Sequence, residues 1–424
     1  MRLLVAAHNL GIGGSQLNAI DLAAGAAAAG HEVVVYGPRG PLADRIEARG
    51  LEYVPARPLR YRPAPSRIAQ LALLARRRKL DLIHAYEWPP CLDAYYGAHL
   101  GFGVPLVCTV LSMSVSPLVP PSIPLVMGTE DLGDEARRTH DAPVWVLEPP
   151  IDTELDHPGI DGRPFRREHG VADGDPLVVT VSRLSLELKL DALVRAIDAV
   201  DHLAGRSAVR LLVVGGGPAE EALKERADRV NRQWGREVVS FTGPVPDPRS
   251  AYAAADVIVG MGSSALRAMS IGRAVVVQGE RGFSEIFGPD TRDRFLRTGF
   301  WGVGDDPPTA RLLAAQISGL LSNAARRAEL GAFGRRTVEE RFSLERAAGR
   351  QLEIYEHVLE AGRKPRLAHA ATAASRALGI ELRAHDPRRK RVRRELEQSL
   401  LGAARRPDPP ARSRPALPAA ETVS

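Results

Sequence analysis

The chain has only two cysteines in 424 residues, Cys91 and Cys108, and neither stands at metal-ligand spacing. A disulfide framework and a thiolate metal site are excluded, and the expected setting is a reducing cytoplasm. Long apolar runs are missing as well. Nothing approaches the roughly 20 residues that a membrane-spanning helix needs. The apolar stretch at the start, residues 3–7, leads straight into a glycine turn, so it reads as a first strand and not as a signal peptide. The main body also lacks an excess of positive charge. The net charge of +6 comes from residues 363–424, where 15 Lys and Arg face 6 Asp and Glu, which leaves the rest of the chain at −3. A body of that sign is not a polyanion-binding surface, and no nucleic-acid partner is expected. Lysine is scarce, with Lys79, Lys189, Lys224, Lys364 and Lys390 as the whole set.

What is present is a series of glycine-rich or cationic turns, each placed directly after a strand-like run. Gly11-Ile12-Gly13-Gly14-Ser15-Gln16 follows the first run. A glycine turn lets a ligand approach backbone N–H groups, and the helix that follows points its positive end at an anion. Arg183 and Lys189 follow the run Leu177-Val178-Val179-Thr180-Val181, and from that place they can clamp a diphosphate from the opposite side. Gly215-Gly216-Gly217-Pro218 and Gly260-Met261-Gly262-Ser263-Ser264 follow two later runs. Alone, a glycine turn is only a tight turn, and an Arg…Lys pair is a solvated one. Their shared place at strand ends gives the pattern its weight, because ligands of open α/β sheets bind at that edge. The first turn is not Gly-x-Gly-x-x-Gly, and Glu32 opens the second strand instead of closing it, so a dinucleotide site is not expected.

Strand-like and helix-like runs alternate through residues 1–150, pause over a Pro-, Gly- and His-containing stretch at 151–174, and resume over 175–343. The fold class expected is α/β, with two Rossmann-like domains facing each other across a cleft. The first would be the acceptor domain, 151–174 a hinge, and 175–343 the donor domain. A crossover helix is expected at 344–361, followed by a basic, partly disordered tail over 362–424. Within the tail, residues 386–406 suit a basic helix with Val392, Leu396 and Leu400 as a narrow stripe, and 407–424 is Pro- and Ala-rich.

Over residues 3–360 these pieces resemble the GT-B retaining glycosyltransferases of family 4. The resemblance rests on Gly13-Gly14 and Gly30-His31-Glu32-Val33, on Ser182-Arg183-Leu184 with Lys189, and on Val214-Gly215-Gly216-Gly217-Pro218. Phe241-Thr242-Gly243, Ala268-Met269-Ser270-Ile271-Gly272 and Glu339-Glu340-Arg341-Phe342-Ser343 extend it. It implies sugar transfer from a nucleotide-diphosphate donor to an acceptor hydroxyl, with retention and without a metal or other cofactor. Gly14, Arg183 and Lys189 would hold the donor diphosphate, Arg183 and Lys189 as the catalytic cations. Gly13, Gly216, Gly262, Ser263, Ser264, Arg267 and Glu285 complete the expected donor set. His8, His84, Glu87 and Ser112 are the expected acceptor side.

The chain departs from its relatives in three places. Of the family's two Glu eight residues apart, the first has no counterpart and the second aligns with Arg267, for which a donor phosphate or Glu285 is the expected partner. The family's frequent histidine is replaced within Thr109-Val110-Leu111-Ser112-Met113-Ser114. These losses keep two other readings open, a catalytically weakened GT-B partner subunit and a sugar-nucleotide epimerase. The acceptor is left as a glycan, a lipid or a small molecule. The basic tail is a candidate for peripheral contact with an anionic membrane, and is otherwise expected to be dispensable for the fold.

Overall fold

The computed structural model describes residues 1–59, 61–304, 310–362, 367–384 and 387–405. The first sheet contains β1 (Arg2–Ala6), β2 (Glu32–Gly37), β3 (Glu52–Pro55), β4 (Leu82–Tyr86), β5 (Leu106–Val110), β6 (Leu125–Met127) and β7 (Val144–Val146). All its pairings are parallel, in the order β3-β2-β1-β4-β5-β6-β7. The second contains β8 (Leu177–Val181), β9 (Arg210–Val214), β10 (Val239–Gly243), β11 (Val257–Gly260), β12 (Val275–Gln278) and β13 (Ser284–Ile286). Its order is β10-β9-β8-β11-β12-β13, and only β13 runs antiparallel. Strands such as Leu3-Leu4-Val5-Ala6 and Leu211-Leu212-Val213-Val214 are apolar without alternation because helices cover both faces of each sheet. The architecture is the GT-B arrangement of two Rossmann-like α/β units.

In both sheets the chain order reverses beside the first strand, β1 with β4 and β8 with β11. Switch points of this kind open a crevice at the C-terminal strand ends. The two crevices meet: Arg183 Nη2, beyond β8, donates to the Ile12 carbonyl, beyond β1, at 3.4 Å.

Two chain crossings lie side by side on the back of the molecule. Ile151 N donates to Phe342 O at 2.8 Å and Leu344 N donates to Ile151 O at 2.9 Å. The helix Leu344–Ala361 then packs on the first sheet, burying Ala347, Ala348, Ile354, Tyr355 and Val358 with Leu3, Val5 and Ile20. In the stretch expected as a hinge, Phe165 and Val171 are buried with the second sheet.

The tail has the expected basic helix, at Pro387–Arg405, but differs in carrying a second helix and in packing both. Beyond the crossover helix the chain forms two further helices, and each docks on a different α/β unit. Leu367–Ala384 buries Ala373 and Ala377 against Leu92 and Leu118, while the Tyr96 hydroxyl donates to Ala370 O at 2.6 Å. Pro387–Arg405 returns to the second sheet, where Ala404 is buried and Leu400 and Leu401 pack beside it. Arg226 donates to Ala404 O at 2.9 Å and Arg405 pairs with Glu225 at 2.9 Å. The expected stripe is therefore split, with Leu400 covered and Val392 and Leu396 exposed. Residues 407–424 lie outside the described residues.

Candidate functional site

The first wall of the site is the turn after β1. Gly13 precedes the helix Gly14–Ala28, and a Cβ added to it would collide with Gln16 Oε1 and come within 2.8 Å of Arg183 Nη2. The Gln16 amide spans this turn, 2.9 Å from His8 Nε2 and donating to Asn9 Oδ1 at 3.0 Å. The other ring nitrogen of His8, Nδ1, is buried without a partner. Burial lowers the His8 pKa; Glu87 opposes that shift and Arg183 adds to it.

The second wall carries the cations. Arg183 is exposed and Lys189 half-buried, and neither forms an ion pair among the described residues. Burial, with a smaller contribution from Arg183, pulls the Lys189 ammonium down to about 8. An uncompensated cation in that position is poised for an anion. The loop between the two is held by its neighbours. Leu184 N donates to Gly216 O at 3.0 Å, and Ala219 N to Leu184 O at 2.9 Å. This fit requires Gly215 and Gly217 at φ 138° and 155°, since a Cβ on either would strike the carbonyls of Ser182 and Leu184. Leu188, directly before Lys189, sits in the left-handed region at φ 63°, a strain of the kind that collects at functional sites.

A third element closes the site from β11. Gly262 at φ 56° turns the chain into the helix Ser263–Ser270, whose N-terminus faces the first sheet's turn. A Cβ on Gly14 would lie 3.0 Å from Ser263 Oγ. The Tyr252 hydroxyl donates to Ser264 Oγ at 3.0 Å and holds that side chain in place. Gly13, Gly14, Arg183, Gly262 and Ser263 therefore converge, while Lys189 and Gly216 border the same turns.

Arg267 and Glu285 are not partners, contrary to expectation. Arg267 pairs with the buried Asp156 at 3.7 Å, and Glu285 pairs with Arg294. Burial raises the Asp156 pKa, and Arg267 and Arg249 work against that shift. The register explains the outcome: Arg267 is one turn into its helix and faces the segment after Ile151, whereas Glu285 lies on the antiparallel edge strand.

On the acceptor side Glu87 and Ser112 come together. Glu87 follows β4 at φ 70°, and its carboxylate accepts from Leu111 N at 2.9 Å, Ser112 N at 3.0 Å and Ser112 Oγ at 2.9 Å. His84 does not reach the cleft. It is 1% exposed, with Nδ1 2.7 Å from the Tyr355 hydroxyl and Nε2 2.6 Å from Thr109 Oγ1, and burial pulls its pKa to about 3. It joins the crossover helix to the first sheet, because its side chain alternates to the face that the helix covers.

Sequence reasoning missed Tyr252, Asp156 and Gln278. Gln278 ends β12, is 2% exposed, and lines a cavity of about 20 Å³ with Lys189, Thr180, Ser182, Gly260 and Met261. Gly279 and Glu280 follow Gln278 directly, but an uncharged amide at the end of an apolar run does not itself signal a ligand. Gln16 lies within the quoted glycine turn, and its spacing from His8 was the available signal.

Residues 12–118 match the family described as Glycosyltransferase Family 4, and residues 175–323 match Glycosyl transferases group 1. An uncharacterized glycosyltransferase of Methanocaldococcus jannaschii is 26% identical over 204 residues, 46% of this chain and 48% of that protein. The GDP-mannose-dependent monoacylated alpha-(1-6)-phosphatidylinositol monomannoside mannosyltransferase of Corynebacterium glutamicum is 29% identical over 195 residues, 42% of this chain and 47% of that one. The chain thus spans about half the length of these curated relatives. Among solved structures, Anabaena Alr3699/HepE in complex with UDP superposes with a TM-score of 0.68 at 18% identity, covering 84% of this chain and 100% of that one. With one family match on each sheet and this superposition, the fold is GT-B, and residues 12–118 and 175–323 are each similar to a glycosyltransferase family.

Proposed function

We propose that this protein transfers a sugar from a nucleotide-diphosphate donor to an acceptor hydroxyl, with retention of anomeric configuration. The observation that carries the reading is a pair of cations without an ion-pair partner among the described residues, Arg183 against the Gly13-Gly14 turn and Lys189 beside the Gly260-Met261 turn. The Anabaena neighbour, solved with UDP, supports a nucleotide donor. Such a reaction asks the protein mainly to stabilise the departing diphosphate and to align the acceptor. Arg183 and Lys189 supply the charge in place of a metal, and the N-termini of Gly14–Ala28 and Ser263–Ser270 add backbone donors. The donor set is Gly13, Gly14, Gly216, Gly262, Ser263 and Ser264 with the two cations. His8, kept neutral by burial, and Ser112, held by Glu87, border the acceptor. Glu87 accepts three hydrogen bonds from Leu111 and Ser112 and so holds the acceptor-side loop in place.

The last helix supports peripheral contact with anionic lipid. Val392 and Leu396 are 60% and 58% exposed among Arg389, Lys390, Arg391, Arg393 and Arg394. No helix among the described residues is long and apolar enough to cross a membrane.

The test is turnover. The full chain is incubated with UDP-, GDP- and ADP-sugars and a panel of acceptors, the released nucleoside diphosphate is measured, and the product anomer is read by NMR. Release from one donor with the anomeric configuration kept is the expected result. Binding without turnover on any acceptor favours the partner-subunit reading, and return of an isomerised sugar nucleotide favours the epimerase.

A further inference from the structure

Gln278 is buried at the end of β12, yet its Nε2 has no hydrogen-bond partner. A buried amide donor left unpaired is costly, and native proteins keep few of them. The side chain is not stranded in an apolar core. It lines the same small cavity as Lys189, whose ammonium also has no partner among the described residues, together with Ser182, Gly260 and Met261 and the apolar Ala192 and Leu193. At about 20 Å³ the cavity admits one oxygen-sized group and excludes a sugar ring. Two of its lining side chains carry donors without a partner among the described residues, an amide N–H and an ammonium, so the group that would satisfy both is an acceptor, and an anionic one is best matched.

We infer that Gln278 is a donor-binding residue that works with Lys189 to seat one non-bridging oxygen of the nucleoside diphosphate. This rests on the nucleotide-sugar reading above. The surroundings point the same way. The loop after Gln278 is tied to the helix that begins at Lys189: Arg195, on that helix, donates to Gly279 O at 2.8 Å, and Gly282 N donates to Asp191 at 3.3 Å. The amide and the ammonium are thereby fixed on two elements that cannot separate without breaking buried contacts. Such an arrangement accepts an unpaired donor in the free protein so that the donor is already placed when phosphate arrives. The lowered pKa of Lys189 fits an ammonium that is short of compensation until then.

The test uses the full chain and uridine diphosphate, guanosine diphosphate and adenosine diphosphate as probes, titrated by calorimetry, with thermal unfolding in parallel. Gln278→Leu keeps the volume and removes the donor. It is expected to weaken binding of the nucleoside diphosphate that the parent takes by roughly ten- to a hundredfold. The corresponding nucleoside should bind as before, and the melting temperature should hold or rise, because an unsatisfied group is gone. Gln278→Glu places a carboxylate against Lys189 and is expected to weaken the diphosphate further. Unchanged diphosphate affinity in Gln278→Leu overturns the assignment, as does a fall in melting temperature with affinity retained, which would make the amide structural. A parent protein that binds none of the three probes overturns the nucleotide-sugar reading and this inference together, whereas a parent that binds and a leucine variant that binds equally overturns this inference alone.

Discussion

Gly14 and Ser263 meet across the two sheets: a Cβ on the glycine would stand 3.0 Å from the serine hydroxyl, close enough that the serine would have to shift. Two helix N-termini, one from each sheet, are brought together at this contact. Gly14→Ala should be tolerated, since the serine can rotate away. Gly14→Val should hold the turns apart, and a displacement of about 1 Å costs catalysis about a hundredfold. Steady-state transfer rates of the two variants check this, and a valine variant as fast as the parent would contradict it.

Lys189 sets a pH dependence. Its pKa in the folded protein is lowered to about 8 by burial, so it loses its charge in a range where an exposed lysine would keep it. Diphosphate affinity should therefore fall as pH rises from 7 to 9. Binding should also draw a proton from buffer near pH 8, because the bound anion raises the lysine again. Calorimetry in buffers of different ionisation enthalpy measures that uptake. The stability effect has the opposite direction: the unfolded chain binds more protons between the lowered and the ordinary lysine pKa, so stability contributed by this residue rises with pH over that interval.

Arg267 should matter for stability and not for donor binding. Arg267→Ala removes the cation paired with the buried Asp156, whose Oδ1 already lacks a hydrogen bond, at a cost of about 1–3 kcal/mol. Arg267→Glu sets two carboxylates together and should cost more. Denaturant unfolding checks both, and unchanged stability with lost diphosphate affinity would reverse the assignment.

The tail separates into two roles. Ending the chain after Gly362 uncovers Leu92, Leu118 and the face that holds Ala404, so the shortened protein should melt earlier than the full chain. Val392→Glu with Leu396→Glu touches only exposed positions and should leave the melting temperature unchanged. The double variant should lose sedimentation with vesicles containing phosphatidylglycerol. Equal sedimentation of parent and variant would remove the lipid contact.

The strands were legible because a doubly covered parallel sheet needs unbroken apolar runs, and β5 and β6 read straight from Val107-Cys108-Thr109-Val110 and Leu125-Val126-Met127. The helix Trp88–Ala94 was not, since its opening prolines, Pro89 and Pro90, carry no helical signal of their own although proline is well accommodated in a helix's first turn. The tail helix Leu367–Ala384 was hidden for a different reason: Ala373 and Ala377 bury too little surface to stand out as an apolar stripe, and their partners are far away in the chain. In the site, the turns announced themselves through glycine, whose backbone freedom is required at Gly215 and Gly262. Side-chain pairing did not follow from sequence. Arg267 found Asp156 and His84 found Tyr355 because two separate crossings of the chain bring them together, which no local spacing encodes.

The clamp formed by Arg183 and Lys189 is the central claim, and calorimetric titration of the parent, Arg183→Ala and Lys189→Ala with nucleoside diphosphates tests it most directly. Each cation supplies a charge-assisted contact of about 1.5–3 kcal/mol. The account predicts that the parent binds one of the diphosphates, that each alanine variant binds it at least about tenfold more weakly, and that melting temperatures stay near the parent value. Diphosphate affinity equal to the parent in both variants would contradict it.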